Sequence, residues 1–101
     1  MLTIESLRKA LDLSPDNIPL RLLYAQACLD ENALEEGRNS YRRILDLEPG
    51  NLEARENLID LLVSTNNTDG AKTVIEEGLR ALFPEEAQVQ RPTAQPERGM
   101  V

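Results

Sequence analysis

Apolar residues recur along this chain every three or four positions, in blocks separated by short polar or proline-containing breaks, and that spacing predicts helices from end to end. Leu2, Ile4, Leu7, Ala10 and Leu11 trace a first helix over residues 2–13, which Ser14-Pro15-Asp16 stops. Asn17 is expected to cap a second helix that tolerates Pro19 in its first turn and buries Leu20, Leu23, Tyr24, Ala27 and Cys28. Polar Asp30-Glu31-Asn32 breaks it. A third helix opens on Asn32 and Glu35 in capping-box spacing and buries Leu34, Tyr41, Ile44 and Leu45 before Pro49-Gly50. Asn51 caps a fourth, with Leu52, Ala54, Leu58, Leu61 and Leu62, until Ser64-Thr65-Asn66-Asn67, whose short side chains compete for backbone hydrogen bonds. Asn67 or Thr68 caps a fifth, whose Ala71, Val74, Ile75, Gly78, Leu79 and Leu82 run to Phe83-Pro84. Residues 88–101 hold two prolines, one glycine and no apolar period, so 85–101 is expected to be a disordered tail or linker.

The chain also repeats itself. LDLSPDN at residues 11–17 returns as LDLEPGN at 45–51, an offset of 34 residues. A period of that length, built of two short antiparallel helices closed by a proline, resembles the tetratricopeptide repeat. In residues 18–51 the family's small positions fall on Ala25 and Gly37, its large apolar positions on Tyr24, Leu34, Tyr41 and Leu45, and its proline on Pro49. Residues 52–84 repeat the pattern with Leu58, Ala71, Ile75 and Leu79. The resemblance implies an all-α fold, a right-handed α-solenoid of about five helices. Its domain would cover residues 1–84, as a half repeat 1–17, a repeat 18–51 and a repeat 52–84. Arg21 and Arg55 depart from the family by standing where a tryptophan is common, Ile59 replaces a small residue, and Pro84 arrives one residue late. These departures are expected to loosen individual helices and leave the period intact.

A net charge of −7 and a pI near 4.5 argue against nucleic acid as partner, because phosphate binding needs a positive surface. Cys28 is the single cysteine, so no intramolecular disulfide is available and a structural zinc site is not expected. It reads as core packing in a reducing, cytoplasmic setting. No apolar run is long enough for a membrane span or a secretion signal. With no histidine, acid–base chemistry would fall to carboxylates, and none sits in an evident apolar pocket; no catalytic, cofactor or metal site is expected. TNNTDGAKT at residues 65–73 lacks the adjacent Gly-Lys of a phosphate loop. Arg38, Arg42 and Arg43 read as a solvated face paired with Glu35 and Asp46.

In the family it resembles, the first helix of each unit lines a concave face that receives an extended peptide or a helix. Here that implies Pro19, Leu22, Gln26, Leu29 and Asp30, then Glu53, Glu56, Asn57, Asp60, Val63 and Ser64. Across residues 18–31 and 51–65 the acids Asp30, Glu31, Glu53, Glu56 and Asp60 outnumber Arg21 and Arg55. Those acids are either a solvated helix face or part of an acidic, partly apolar groove selecting Lys or Arg beside leucine-type anchors. A carboxylate clamp of the kind some members carry is expected to be absent, since Leu22, Gln26, Glu56 and Asp60 occupy its place. Leu79, Leu82 and Phe83 are expected to be partly bare, an end for docking or for a weak homodimer. The expected function is a protein-binding adaptor or scaffold without catalysis, whose partner is a basic or amphipathic protein segment. Two alternatives stay open: the targeting module of a larger enzyme such as an ATPase, and a self-associating structural module.

Overall fold

The computed structural model describes residues 3–84. They form five helices, α1 (Ile4–Leu13), α2 (Ile18–Asp30), α3 (Leu34–Leu47), α4 (Leu52–Ser64) and α5 (Thr68–Leu82). Leu2 and the segment 85–101 lie outside the described residues, and so do the expectations attached to them.

Four of the helices begin on a side-chain cap. Thr3 Oγ1 accepts from the Ser6 N–H at 3.1 Å, and the Asn17, Asn51 and Asn67 Oδ1 atoms accept from the Leu20, Ala54 and Gly70 N–H groups at 3.1, 2.9 and 2.9 Å. Each bond satisfies a donor that the first helical turn leaves without a partner. The start of α3 corrects the capping-box expectation. Ala33 precedes the helix, and no side chain caps it. Asn32 instead takes a φ of 62°, the left-handed region that asparagine enters more readily than most residues, and Asn66 does the same at 63°. In both turns the next N–H folds back, from Ala33 to the Cys28 carbonyl at 2.7 Å and from Asn67 to the Leu62 carbonyl at 2.8 Å. The α2–α3 and α4–α5 hairpins are therefore closed by the same turn.

Helices pack chiefly on their chain neighbours, α1 on α2, α2 on α3, α3 on α4 and α4 on α5, as in a repeat stack. The main core gathers Ala25, Tyr41, Ile44, Leu45, Ala54, Leu58, Leu62, Ala71 and Val74 from four helices. A smaller cluster of Leu7, Leu11, Tyr24 and Cys28 fastens α1 to α2. Gly37 allows α2 and α3 their close approach: a Cβ there would lie 2.9 Å from Leu29 Cδ2 and 3.5 Å from the Ala25 carbonyl oxygen. Four residues expected on the apolar stripes are exposed, Leu52 at the start of α4 among them. Leu23 is 53% exposed because it faces the space between α2 and α4, while Ile75 and Leu79 are bare because α5 has a helix on one side only.

Arg21 and Arg55 correct another expectation. Arg55 is only 6% exposed, donating from Nη1 to the Val74 carbonyl at 2.8 Å and from Nη2 to the Pro49 carbonyl at 2.7 Å. Arg21 Nη2 donates to the Pro15 carbonyl at 2.7 Å, the equivalent contact one repeat earlier. These arginines do not loosen their helices; each binds the first helix of a unit to the proline turn before it. The outer arginines also differ from expectation in their partners. Arg42 pairs with Glu77 at 2.9 Å and Arg43 with Asp16 at 3.1 Å, across helices, and only the 3.9 Å pair of Arg38 with Glu35 is local.

Candidate functional site

Alternate helices α2 and α4 present side chains one turn apart to a shared cleft of ≈ 430 Å³. Pro19, Leu22, Leu23 and Gln26 form its α2 wall, Glu53 and Asn57 its α4 wall, and Tyr41 of α3 its floor. Of the residues read from the sequence as a groove, the structure brings Leu22, Gln26, Glu53 and Asn57 together here. Asp30 stands at the end of the α2 wall, where its Oδ1 accepts from Gln26 Nε2 at 3.0 Å. Leu29 turns inward onto Gly37 and the main core. Asp60 and Val63 are exposed further along α4, outside the cleft lining. Glu56 lies on the opposite flank of α4 and lines a different cleft, described below.

The chemistry of the cleft is asymmetric. Leucine and proline with the Gln26 amide form one wall and a carboxylate with an amide the other, and among the described residues Glu53 enters no ion pair. Tyr41 is 1% exposed, with the Asn57 side chain beside its hydroxyl. Burial raises the Tyr41 pKa, Asn57 opposes that shift, and the negative charges of Glu53 and Asp30 add to it. Sequence reasoning placed Tyr41 and Leu23 in the core only. Both are apolar in pattern, and nothing local distinguishes a residue that floors a cleft from one beneath a neighbouring helix.

A second cleft, of ≈ 190 Å³, opens on the outer face of the last hairpin. Leu52 and Ile59 of α4 and Ile75, Leu79 and Leu82 of α5 line it with Phe83, over Gly78 and Arg55 and with Glu56 at its edge. Leu52, Ile75, Leu79 and Phe83 are each bare by roughly half, so the terminal residues expected from the sequence belong to a continuous apolar patch. On the other side of the stack, Arg38, Asn39 and Arg42 face Asn67, Gly70 and Thr73 across ≈ 300 Å³, floored by Leu58 and Leu62.

At the opposite end, Glu36 Oε2 accepts from the Tyr24 hydroxyl at 2.8 Å and from Arg8 Nη2 at 2.9 Å. The Tyr24 bond, then Arg8, holds the Glu36 carboxyl below its ordinary pKa. Burial, then Glu36, pushes the Tyr24 phenol up to about 12. Cys28 is buried beside them, its thiol pushed up chiefly by burial, which keeps it in the unreactive protonated form. Among the described residues no helix is long and apolar enough to cross a membrane, and no group of three or more acidic or cysteine side chains could hold a metal.

Comparison with known proteins agrees with this architecture. A family model described as tetratricopeptide repeat matches residues 29–95. Sperm-associated antigen 1 of Mus musculus is 28% identical over 82 residues, which cover 81% of this chain and 9% of that protein. The chain thus spans a small fraction of the length of this relative.

Proposed function

The chain belongs to the tetratricopeptide repeat family, a protein-interaction fold, and on that premise we propose that its α2–α4 cleft receives a basic, amphipathic segment of a protein partner. The observation that carries this reading is one cleft that sets half-exposed Leu23 and partly buried Leu22 against Glu53, a carboxylate that enters no ion pair among the described residues. Apolar burial would supply affinity and charge would select the partner, since an acidic peptide would meet Glu53 and the nearby Asp30 and Asp60 with like charge. The module acts as an adaptor or scaffold without catalysis. A reducing, cytoplasmic setting suits its single buried thiol.

The test is a nuclear magnetic resonance titration of the labelled protein with a synthetic leucine–lysine amphipathic peptide and its leucine–glutamate counterpart. The lysine peptide should shift the amides of Leu22, Gln26, Glu53 and Asn57, the glutamate peptide should not, and Glu53→Lys should weaken the former. Shifts of equal size with both peptides, or shifts away from α2 and α4, would rule the reading out. A second reading, self-association through the terminal patch, is favoured by the contiguous exposure of Leu79 and Phe83 with Leu52.

A further inference from the structure

On the side of the stack away from the α2–α4 groove, we infer that the cleft between α3 and α5 binds a carboxylate, the end of a glutamate side chain on a protein partner. What points to a carboxylate is the chain's own repeat. At the 34-residue offset α1 falls on α3, α2 on α4 and α3 on α5. In the first of these repeats the space between the outer helices is filled from within. Glu36 Oε2 accepts there from Arg8 Nη2 at 2.9 Å and from the Tyr24 hydroxyl at 2.8 Å, beside buried Cys28. In the second, Arg8 becomes Arg42, Tyr24 becomes Leu58, Cys28 becomes Leu62 and Glu36 becomes Gly70, and these four line the ≈ 300 Å³ cleft. The cation and the closed floor are kept, and the anion is missing.

The cleft also gains a second cation. Arg38 stands where the first repeat has Ile4, and its one approach to a carboxylate among the described residues, 3.9 Å from Glu35, is too long for a hydrogen bond. Arg42 gives Nη1 to Glu77 at 2.9 Å, and its Nη2 has no acceptor among the described residues. The two guanidiniums are one turn apart on α3 and offer the fork that matches a carboxylate. Leu58 and Leu62 are nearly closed to solvent, so the arginines, with the Asn39 and Asn67 amides, make the contacts. Those amides suit the peptide groups flanking a residue in a chain, which a free acid lacks. Glu35, Glu77, exposed Asp69 and a net charge of −7 favour a single negative charge over a phosphoryl dianion. Gly70 is bare because Asn67 caps α5 in its place: a Cβ there would sit 2.8 Å from Asn67 Oδ1. The first repeat has the opposite pair, Ala33 without a cap and Glu36 with its carboxylate.

The probes are N-acetyl-glutamate N-methylamide, its glutamine counterpart, propionate and inorganic phosphate, titrated into the labelled protein while the Arg42, Gly70 and Thr73 amides are read. The glutamate probe should give saturable shifts, with the glutamine probe and the Arg38→Gln variant each about tenfold weaker, as expected for loss of a charge-assisted bond. The double variant Asn67→Ala with Gly70→Glu copies the first repeat. It should lose the binding, and the installed carboxyl should titrate below its ordinary range, as Glu36 does. If that variant fails to fold, Arg38→Gln decides alone, since its side chain is half-exposed and its loss leaves the helices intact. Unchanged affinity in Arg38→Gln, no saturable shift at the three amides, or an installed carboxyl that titrates at its ordinary value overturns the inference. So does equal or tighter binding of the glutamine probe or of phosphate, and propionate binding as tightly as the glutamate probe would give the site to free acids instead. None of these amides borders the α2–α4 cleft, so either outcome leaves the groove to its own titration.

Discussion

Arg55 meets no carboxylate among the described residues, and two backbone carbonyls take that role. The geometry is possible because α5 carries Gly78: a Cβ there would sit 2.6 Å from Arg55 Cδ and 2.9 Å from Nε. Hydrogen bonds from both Nη atoms keep the side chain from withdrawing. Gly78→Ala is therefore expected to destabilise the protein by about 1–3 kcal/mol through overpacking, despite alanine's better helix propensity. In an Arg55→Met background, where a flexible thioether can yield, the same change should be neutral or stabilising. A double-mutant cycle by urea denaturation measures this, and additive losses would refute the coupling. The spacing Pro-x-Asn-x-x-x-Arg is visible twice in the sequence, at Pro15, Asn17 and Arg21 and at Pro49, Asn51 and Arg55. Its meaning was not, because the acceptor on Val74 and the space above Gly78 belong to a helix that reaches Arg55 only through tertiary packing.

At the scale of elements, α1 depends on one helix pair for its place. Leu7 and Leu11 pack on Tyr24 and Cys28, and Arg8 reaches Glu36 on α3 and the Tyr24 hydroxyl, the latter at 3.4 Å. Because the folded Glu36 pKa is depressed, its contribution is present above the unfolded carboxylate value of about 4.3 and is lost as pH falls through the lower folded value. Tyr24 titrates the other way. Its raised pKa contributes fully below the unfolded value of about 10, and that contribution is lost as pH rises through about 12. Acidification below about pH 4 should consequently release α1 before α3, read as faster amide exchange at Leu7 and Leu11 than at Ile44. Glu36→Gln should reproduce the release at neutral pH. Simultaneous loss of α1 and α3 would show that Glu36 holds no separate latch. The helices themselves were legible because apolar period and asparagine caps agree at Asn17, Asn51 and Asn67. The start of α3 was misread for a related reason: Asn32 has cap chemistry, but the αL turn needs that residue one position earlier than a cap would stand.

The whole molecule is a stack in which each helix is covered by its neighbours, so its ends differ from its middle in kind. That this end would be partly bare was expected from the sequence, since no apolar helical pattern follows it, and Leu79 and Phe83 are half exposed while Leu82 is half-buried. That Leu52, Ile59 and Ile75 would join them in one patch could not be read from the sequence, because it depends on how α4 and α5 cross. A patch of this kind meets its own copy most simply across a twofold axis, where any surface opposes itself. Its lining contributes one exposed carboxylate, Glu56, and Arg55 is buried with both Nη atoms bonded to backbone carbonyls, so apolar contact drives the pairing. The net charge of −7 on each copy opposes it. Dimerisation should accordingly be weak and should strengthen with salt, which screens the repulsion and leaves apolar burial in place. Sedimentation across protein concentration, at low and at about 0.5 M salt, is expected to show a mass that rises with both. Leu79→Glu with Phe83→Ser should hold the protein monomeric throughout without lowering its helix content, because both side chains are already half in water. A parent that stays monomeric at every concentration, or a dimer that dissolves as salt is added, would place the association elsewhere and leave the patch without a role in pairing.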